Sequence, residues 1–403
     1  MTATITAVRP DGTAAAGAPG TSDDTFGDLA DLRVALVHYW LVGMRGGERV
    51  VEEILSIFPR AEIFTHVADR DRLSPRILSH PIHETGIADL PGARRHYQRY
   101  LPFMPRALEE IDLSGFDLVV SSESGPAKGV IVPPATAHVC YCHSPMRYLY
   151  DQYPLYRSGL NAAMRPVFSR IAHRLRQWDY ASASRVDTVV ANSSFTAARV
   201  RRFWGREAQI VHPHANLDLY TTGPLRERRG FVAVSQLVRY KRLDLVVDAF
   251  RGRDEHLTVV GDGEERADLE RDAPPNVSFA GRVDDEALRD LYRSSEALVF
   301  PGEEDFGIVP VEAMACGTPV LAFERGGIRD TVIDGRTGLF FREQSAASIR
   351  DALVRFRATP FDADAIAVHA RQFSAANFRR RFARICRDAV ASKEVELRRA
   401  SAS

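Results

Sequence analysis

The sequence predicts an α/β protein made of two Rossmann-like, doubly wound domains. Three observations carry that expectation. The 403 residues exceed what one hydrophobic core usually organises. Short apolar runs alternate with stretches of helical periodicity, the pattern of a mostly parallel sheet with crossover helices. The second half of the chain then repeats the architecture of the first.

Residues 1–28 are rich in Ala, Thr, Gly and Pro and lack an apolar signal core, so they read as a disordered tail. The first domain is expected over 29–220. Arg33-Val34-Ala35-Leu36-Val37-His38 is a buried-type strand. Gly43-Met44-Arg45-Gly46-Gly47 follows, and helical periodicity runs over 48–58. A glycine loop between strand and helix lets a phosphate or sugar approach the backbone. A tight turn needing positive φ is the other reading of Gly46 and Gly47. The spacing does not fit G-x-G-x-x-G, which argues against a dinucleotide cofactor.

Further strands are expected at 63–65, 117–121, 138–142, 188–191 and 209–212. Ligands of such sheets sit beyond the carboxyl ends of the strands. His143 stands there, in Tyr141-Cys142-His143-Ser144-Pro145, placed either to bond a sugar hydroxyl or phosphate or to hold the loop. The strand-end loop 121–129 puts Lys128 against a phosphate or on the surface. Asn192-Ser193-Ser194-Phe195 reads as a helix cap. Residues 92–108 interleave Arg94, Arg95, Arg99 and Arg106 with Tyr97, Tyr100, Phe103 and Met104. That mixture suits an anionic membrane surface or a solvated helix with one apolar face.

The second domain is expected over 221–370. After the strand Phe231-Val232-Ala233-Val234-Ser235, a loop carries Gln236, Arg239, Lys241 and Arg242 into a helix, as an anion site or as a solvated basic loop. Strands follow at 257–260, 276–281 and 297–300, and the glycine-rich stretches from 326 to 338 read as turns.

The most informative stretch is Phe300-Pro301-Gly302-Glu303-Glu304-Asp305-Phe306-Gly307-Ile308-Val309-Pro310-Val311-Glu312-Ala313-Met314-Ala315-Cys316-Gly317. It reads as a strand end, a loop of acids and glycine, a short helix and then, from Val320, another strand. Pro310 and Glu312 fall in the first turn of that helix and Gly317 at its C-cap. Unpaired N–H groups at the helix start, near Phe306, Gly307 and Ile308, attract a diphosphate. Glu304 and Glu312 would repel phosphate but accept hydrogen bonds from hydroxyls, so the combination suits a sugar nucleotide. A capping acid is the alternative for Glu312. From about Phe373 an arginine-rich amphipathic helix occupies 371–403, ending in a frayed tail.

With its Asp305-Phe306-Gly307 and Ala315-Cys316-Gly317-Thr318-Pro319 context, this stretch resembles the paired-glutamate motif of retaining glycosyltransferase family 4, whose fold is GT-B. The resemblance implies two domains facing a cleft, with the last helix crossing back to the first domain. It places Glu304 and His143 at the donor sugar, Glu312 on the ribose, and Gly46 and Gly47 at the diphosphate and acceptor. It gives Lys241 the neutralisation of the diphosphate. Gln236 stands where many members have arginine, which leaves Arg239 as a substitute from the same loop. Arg282 and Val283 match positions beside the base. Residues 118–129 and 141–151 look like the branch that builds bacterial surface polysaccharides, where many members use GDP-mannose. The implied acceptor is a saccharide, polyprenyl-diphosphate-linked, met at the inner face of the cytoplasmic membrane.

Charge bounds these expectations. Lys and Arg total 53 and Asp and Glu total 53, so the whole chain is no nucleic-acid binder by charge. No run is long and apolar enough to span a bilayer. Cys140, Cys142, Cys316 and Cys386 lack metal spacing and fit a reducing, cytoplasmic setting. Asp69-Arg70-Asp71 and Asp362-Ala363-Asp364 lie in polar sequence rather than after a strand, so neither a metal nor another cofactor is expected. Two rivals remain: a nucleotide-sugar epimerase or phosphorylase of the same fold, and a non-catalytic sugar-nucleotide binder.

Overall fold

The structure is a computed structural model that describes residues 26–224 and 227–402. Two parallel sheets organise it. The first holds β1 (Val34–His38), β2 (Glu62–Thr65), β3 (Ile82–Glu84), β4 (Leu118–Glu123), β5 (Ala137–Cys142), β6 (Thr188–Ala191) and β7 (Gln209–Ile210), in the order β3-β2-β1-β4-β5-β6-β7. The second holds β8 (Phe231–Val234), β9 (Leu257–Val260), β10 (Val277–Gly281), β11 (Ala297–Phe300), β12 (Val320–Phe323) and β13 (Gly338–Phe341), in the order β10-β9-β8-β11-β12-β13. Strand order reverses between β1 and β4 and again between β8 and β11, which opens a crevice at each carboxyl end. Strands β1, β4 and β5 are buried along their whole length, covered on both faces, and so read as continuous runs rather than alternating ones.

The expected strands all fall on observed ones, within a residue or two at their ends. Two strands were not expected. The three-residue β3 is an edge strand with little burial, and β13 starts on Gly338, inside a stretch that reads as turns.

The expected tail, 1–28, lies outside the described residues up to residue 25. Its last residues belong to the fold: Phe26 packs against the first core, and Arg387 Nη2 donates to Asp28 Oδ1 at 2.8 Å. The long helix Ala375–Ala402 crosses back as expected. Its Phe378, Phe382, Ile385 and Cys386 enter the core of the first domain, with helix Gly46–Ile57 and β5.

Two surface expectations change. Lys128 is neither at a phosphate site nor on the surface. It is fully buried, in contact with Asp179 and 3.6 Å from Glu123, with its ammonium 4.3 Å from the Trp204 ring centre. Tyr150 Oη and Trp204 Nε1 each donate to Asp179 at 2.7 Å, so the pair is desolvated but hydrogen-bonded. Residues 92–108 are not one helix but a helical turn Ala93–His96, a 3₁₀ stretch Tyr97–Phe103 around Pro102, and a short helix Met104–Glu109. Met104 is buried, and Tyr97 and Tyr100 pack inward beside Trp40 and Val67. Arg94 is held by Glu84 at 3.1 Å and Arg106 by Glu110 at 2.7 Å, which leaves Arg95, Arg99 and the exposed Phe103 as the outward part.

Candidate active site

The loops after β1, β4, β5 and β6 form one wall of the interdomain crevice, and the loop after β11 forms the other. Between them lies a cavity of about 340 Å³ lined by Gly46, Gly47, His143, Asn192, Glu304 and the start of helix Ile308–Ala315. A second cavity of about 410 Å³, with the aromatic groups Trp40, Tyr148, Tyr156 and Phe168 in its wall, adjoins it through Ser124, Ser144 and Asp305.

Asp305 and Asp330 of the second domain fasten the two walls together. Asp305 accepts from Arg147 Nε at 3.1 Å and from Arg199 Nη1 at 2.8 Å, while Ser193 Oγ donates to its backbone oxygen. Asp330 accepts from the Ser194 N–H at 2.6 Å and lies 3.1 Å from His212 Nε2. The Ser194 N–H opens helix Ser194–Trp204, so a carboxylate from one domain meets the positive end of a helix in the other. Burial raises the Asp330 pKa, but the His212 and Ser194 bonds outweigh it and hold the carboxyl below its usual range.

The glycine loop works by closeness rather than by an unusual φ. Positive φ falls on Gly43, not on Gly46 or Gly47. A Cβ on Gly46 would meet Ile308 Cδ1 at 3.3 Å, and one on Gly47 would meet Tyr39 Oη at 3.0 Å. A side chain at either position would narrow the crevice. Gly307, at φ 89°, does need glycine, because it turns the chain into the helix start.

Lys241 reaches Glu304 and forms an ion pair with it. Burial and the nearby Arg147 guanidinium push the Lys241 pKa down to about 8, with Asp305 opposing, so the ammonium still predominates at neutral pH. Glu312 lies one position deeper than expected. The helix begins at Ile308, so Glu312 opens its second turn, and Gly317 follows the last helical residues with φ 74°. Its side chain is almost wholly buried. Burial pushes its pKa up to about 7. Arg49 and the nearby Tyr292 hydroxyl oppose that shift, and Asp285 adds to it. A buried carboxyl poised near neutrality, with no side-chain cation in contact among the described residues, is the kind of acceptor that a ligand hydroxyl would complete.

His143 lines the cavity, with Nε2 2.9 Å from Ser122 Oγ. Burial and His38 push its pKa down to about 3, against the pull of Glu48, so the ring is neutral. Six expected residues do not line this cavity: Lys241, which meets it through Glu304; Glu312, which is buried; and four more. Gln236 and Arg239 are exposed, and Arg239 lies toward Glu265. Arg282 is exposed at the end of β10, and Val283 packs into the core of the second domain. Arg147 and Arg199 bring guanidinium groups to Asp305 in the crevice wall. Sequence reasoning missed both, since their shared partner Asp305 is 158 and 106 residues away.

Two adjoining parallel-sheet domains with a crevice at their carboxyl ends define a GT-B type architecture. Residues 44–219 match the family model described as Glycosyltransferase Family 4, and residues 223–372 match Glycosyl transferases group 1. The chain belongs to glycosyltransferase family 4. Among curated proteins it is 30% identical over 228 residues to the D-inositol 3-phosphate glycosyltransferase of Gordonia bronchialis, covering 47% of this chain and 49% of that one. It is also 30% identical over 223 residues to the GDP-mannose-dependent alpha-(1-6)-phosphatidylinositol monomannoside mannosyltransferase of Mycolicibacterium smegmatis, covering 48% and 58%. The chain thus spans about half the length of the curated relatives it matches. Anabaena HepE, solved with UDP and glucose, superposes with a TM-score of 0.61 at 17% identity, over 88% of this chain and 99% of that one. That likeness supports the fold.

Proposed function

We propose that this chain is a retaining, metal-independent hexosyltransferase. It moves a sugar from a nucleotide donor, with mannose from GDP-mannose favoured, to a hydroxyl of a growing saccharide in surface polysaccharide synthesis. The observation that carries the reading is one cavity bordered by the Glu304 carboxylate paired with Lys241, the helix start at Ile308 and the neutral ring of His143. The backbone N–H groups at that helix start and the Lys241 ammonium suit a diphosphate, and Glu312 suits the ribose. The name of the mycobacterial mannosyltransferase favours GDP-mannose among donors.

In this reading the bond between the anomeric carbon and the phosphate oxygen breaks while charge grows on the departing diphosphate. Lys241 and the helix dipole stabilise that charge. The acceptor hydroxyl enters from the aromatic cavity and attacks the same face. Its proton passes to the leaving phosphate oxygen, and the new bond keeps the donor's configuration. The acceptor is a polyprenyl-diphosphate-linked saccharide met at an anionic membrane surface, through Arg95, Arg99 and Phe103. Among the described residues no helix is long and apolar enough to cross a membrane.

The test is nucleotide release from GDP- and UDP-sugars with and without saccharide acceptors, followed by NMR of the product's anomeric proton. Release that depends on acceptor, with retained configuration, is expected. Conversion of donor without acceptor points instead to an epimerase, and donor binding without release points to a non-catalytic binder.

A further inference from the structure

A buried polar chain runs from helix Gly46–Ile57 to the cavity, through side chains from three elements. His38 closes β1 and is fully buried. Its Nδ1 lies 3.0 Å from Ser122 Oγ on β4, and the same oxygen lies 2.9 Å from His143 Nε2. On its far side His38 Nε2 lies 3.7 Å from Glu48 Oε1, and Glu48 Oε2 accepts from the Arg45 N–H at 3.0 Å. Burial raises the Glu48 pKa, but His38 and the backbone N–H groups outweigh it, so Glu48 is ionised.

With one hydrogen on each ring, this order of groups has one consistent arrangement of protons. A lone pair on His38 Nε2 would face the Glu48 carboxylate, which is repulsive, so that nitrogen carries the hydrogen. His38 Nδ1 is then an acceptor and takes the Ser122 hydroxyl hydrogen. A hydroxyl has a single hydrogen to donate, so Ser122 Oγ meets His143 as an acceptor, and His143 Nε2 carries its hydrogen. His143 Nδ1 is left without a hydrogen, and it has no hydrogen-bond partner among the described residues.

We infer that Glu48, His38 and Ser122 are positioning residues that fix His143 as the Nε2–H tautomer and present its bare Nδ1 to the cavity as an acceptor for a sugar hydroxyl. The inference rests on the glycosyltransferase reading for the identity of that hydroxyl, and on the chain of side chains alone for the tautomer. It assigns work to three residues that touch no substrate. It also gives a reason for the fully buried His38 at the end of β1 and the fully buried Ser122 on β4.

The test is nitrogen NMR of protein labelled with ¹⁵N-histidine, recorded without donor or acceptor. The His143 resonances are identified by their loss in His143→Gln. The wild type should show His143 protonated at Nε2 alone. Ser122→Ala and His38→Phe should each release the ring into a mixture of tautomers. Ser122→Ala should also lower kcat/KM for transfer roughly twofold to tenfold, the scale of one neutral hydrogen bond, while leaving the affinity for the bare nucleoside diphosphate unchanged. A wild-type ring protonated at Nδ1 or averaged between tautomers overturns the inference, as does a Ser122→Ala spectrum identical to wild type. If Ser122→Ala does not fold, the wild-type spectrum and His38→Phe decide. The spectrum needs no substrate, so its outcome is separate from that of the transfer assay.

Discussion

Replacing Glu312 with glutamine should stabilise the protein at alkaline pH while damaging the site. The carboxyl is almost wholly buried, and burial raises its pKa from 4.5 to about 7. The unfolded chain loses this proton near pH 4.5, whereas the folded chain holds it to about pH 7. Between those values the folded state binds more proton, so stability falls as pH rises through the window and levels off above it. Each pKa unit is worth about 1.36 kcal/mol, so the full shift corresponds to roughly 3 kcal/mol by pH 8. Glutamine has nearly the same shape and no charge to desolvate. The difference in stability between Glu312→Gln and wild type should therefore be small at pH 4.5 and grow to roughly 3 kcal/mol in favour of the variant at pH 8. Urea denaturation of both proteins across this range measures it, and Glu123, also pushed up to about 7, cancels because both proteins carry it. A difference that stays flat with pH, or that favours wild type more as pH rises, refutes the reasoning. A stabilising change at a residue proposed to bind ribose would mark the desolvated carboxylate as retained for function rather than for folding.

Three further outcomes follow from other parts of the structure. Lys241→Ala should lower turnover more than it weakens binding of the nucleoside monophosphate, because charge grows on the departing diphosphate in the transition state; equal losses in both measurements contradict that role. Lys128→Met should destabilise the first domain by about 3–5 kcal/mol in chemical denaturation, since it leaves Asp179 and Glu123 buried without their cation; a change under about 1 kcal/mol contradicts it. Replacing Arg95 and Arg99 with serine should reduce flotation with anionic liposomes, each arginine contributing about 1 kcal/mol near the surface, while Arg94→Ser should act through lost contacts with Glu84 instead; wild-type protein that never floats removes the membrane proposal.

The sequence made legible those features that depend on neighbours in the chain. The buried runs of β1, β4 and β5, the glycines at 307 and 317, and the cap at Ser193 each carry a local physical signature, and each fell where expected. Features decided by distant partners were hidden. Lys128 looks like any loop lysine until Asp179, 51 residues on, meets it in the core. Arg239 was the nearest substitute in sequence for an arginine at Gln236, yet its side chain is exposed while Arg147 and Arg199 meet Asp305 in the crevice wall from the other domain. β3 was missed because three residues at a sheet edge carry almost no pattern. The link from His38 through Ser122 to His143 joins residues 84 and 21 positions apart, and no spacing rule would have paired them.

The most direct measurement of the central claim is calorimetry of the cognate nucleotide with wild type and with Glu312→Ala. A hydrogen bond to a charged acceptor is worth about 1.5–3 kcal/mol, so the variant should bind roughly tenfold to a hundredfold more weakly. Unchanged affinity in a folded variant would take Glu312 out of the donor site and contradict the account of the cleft as the place where a sugar nucleotide is held.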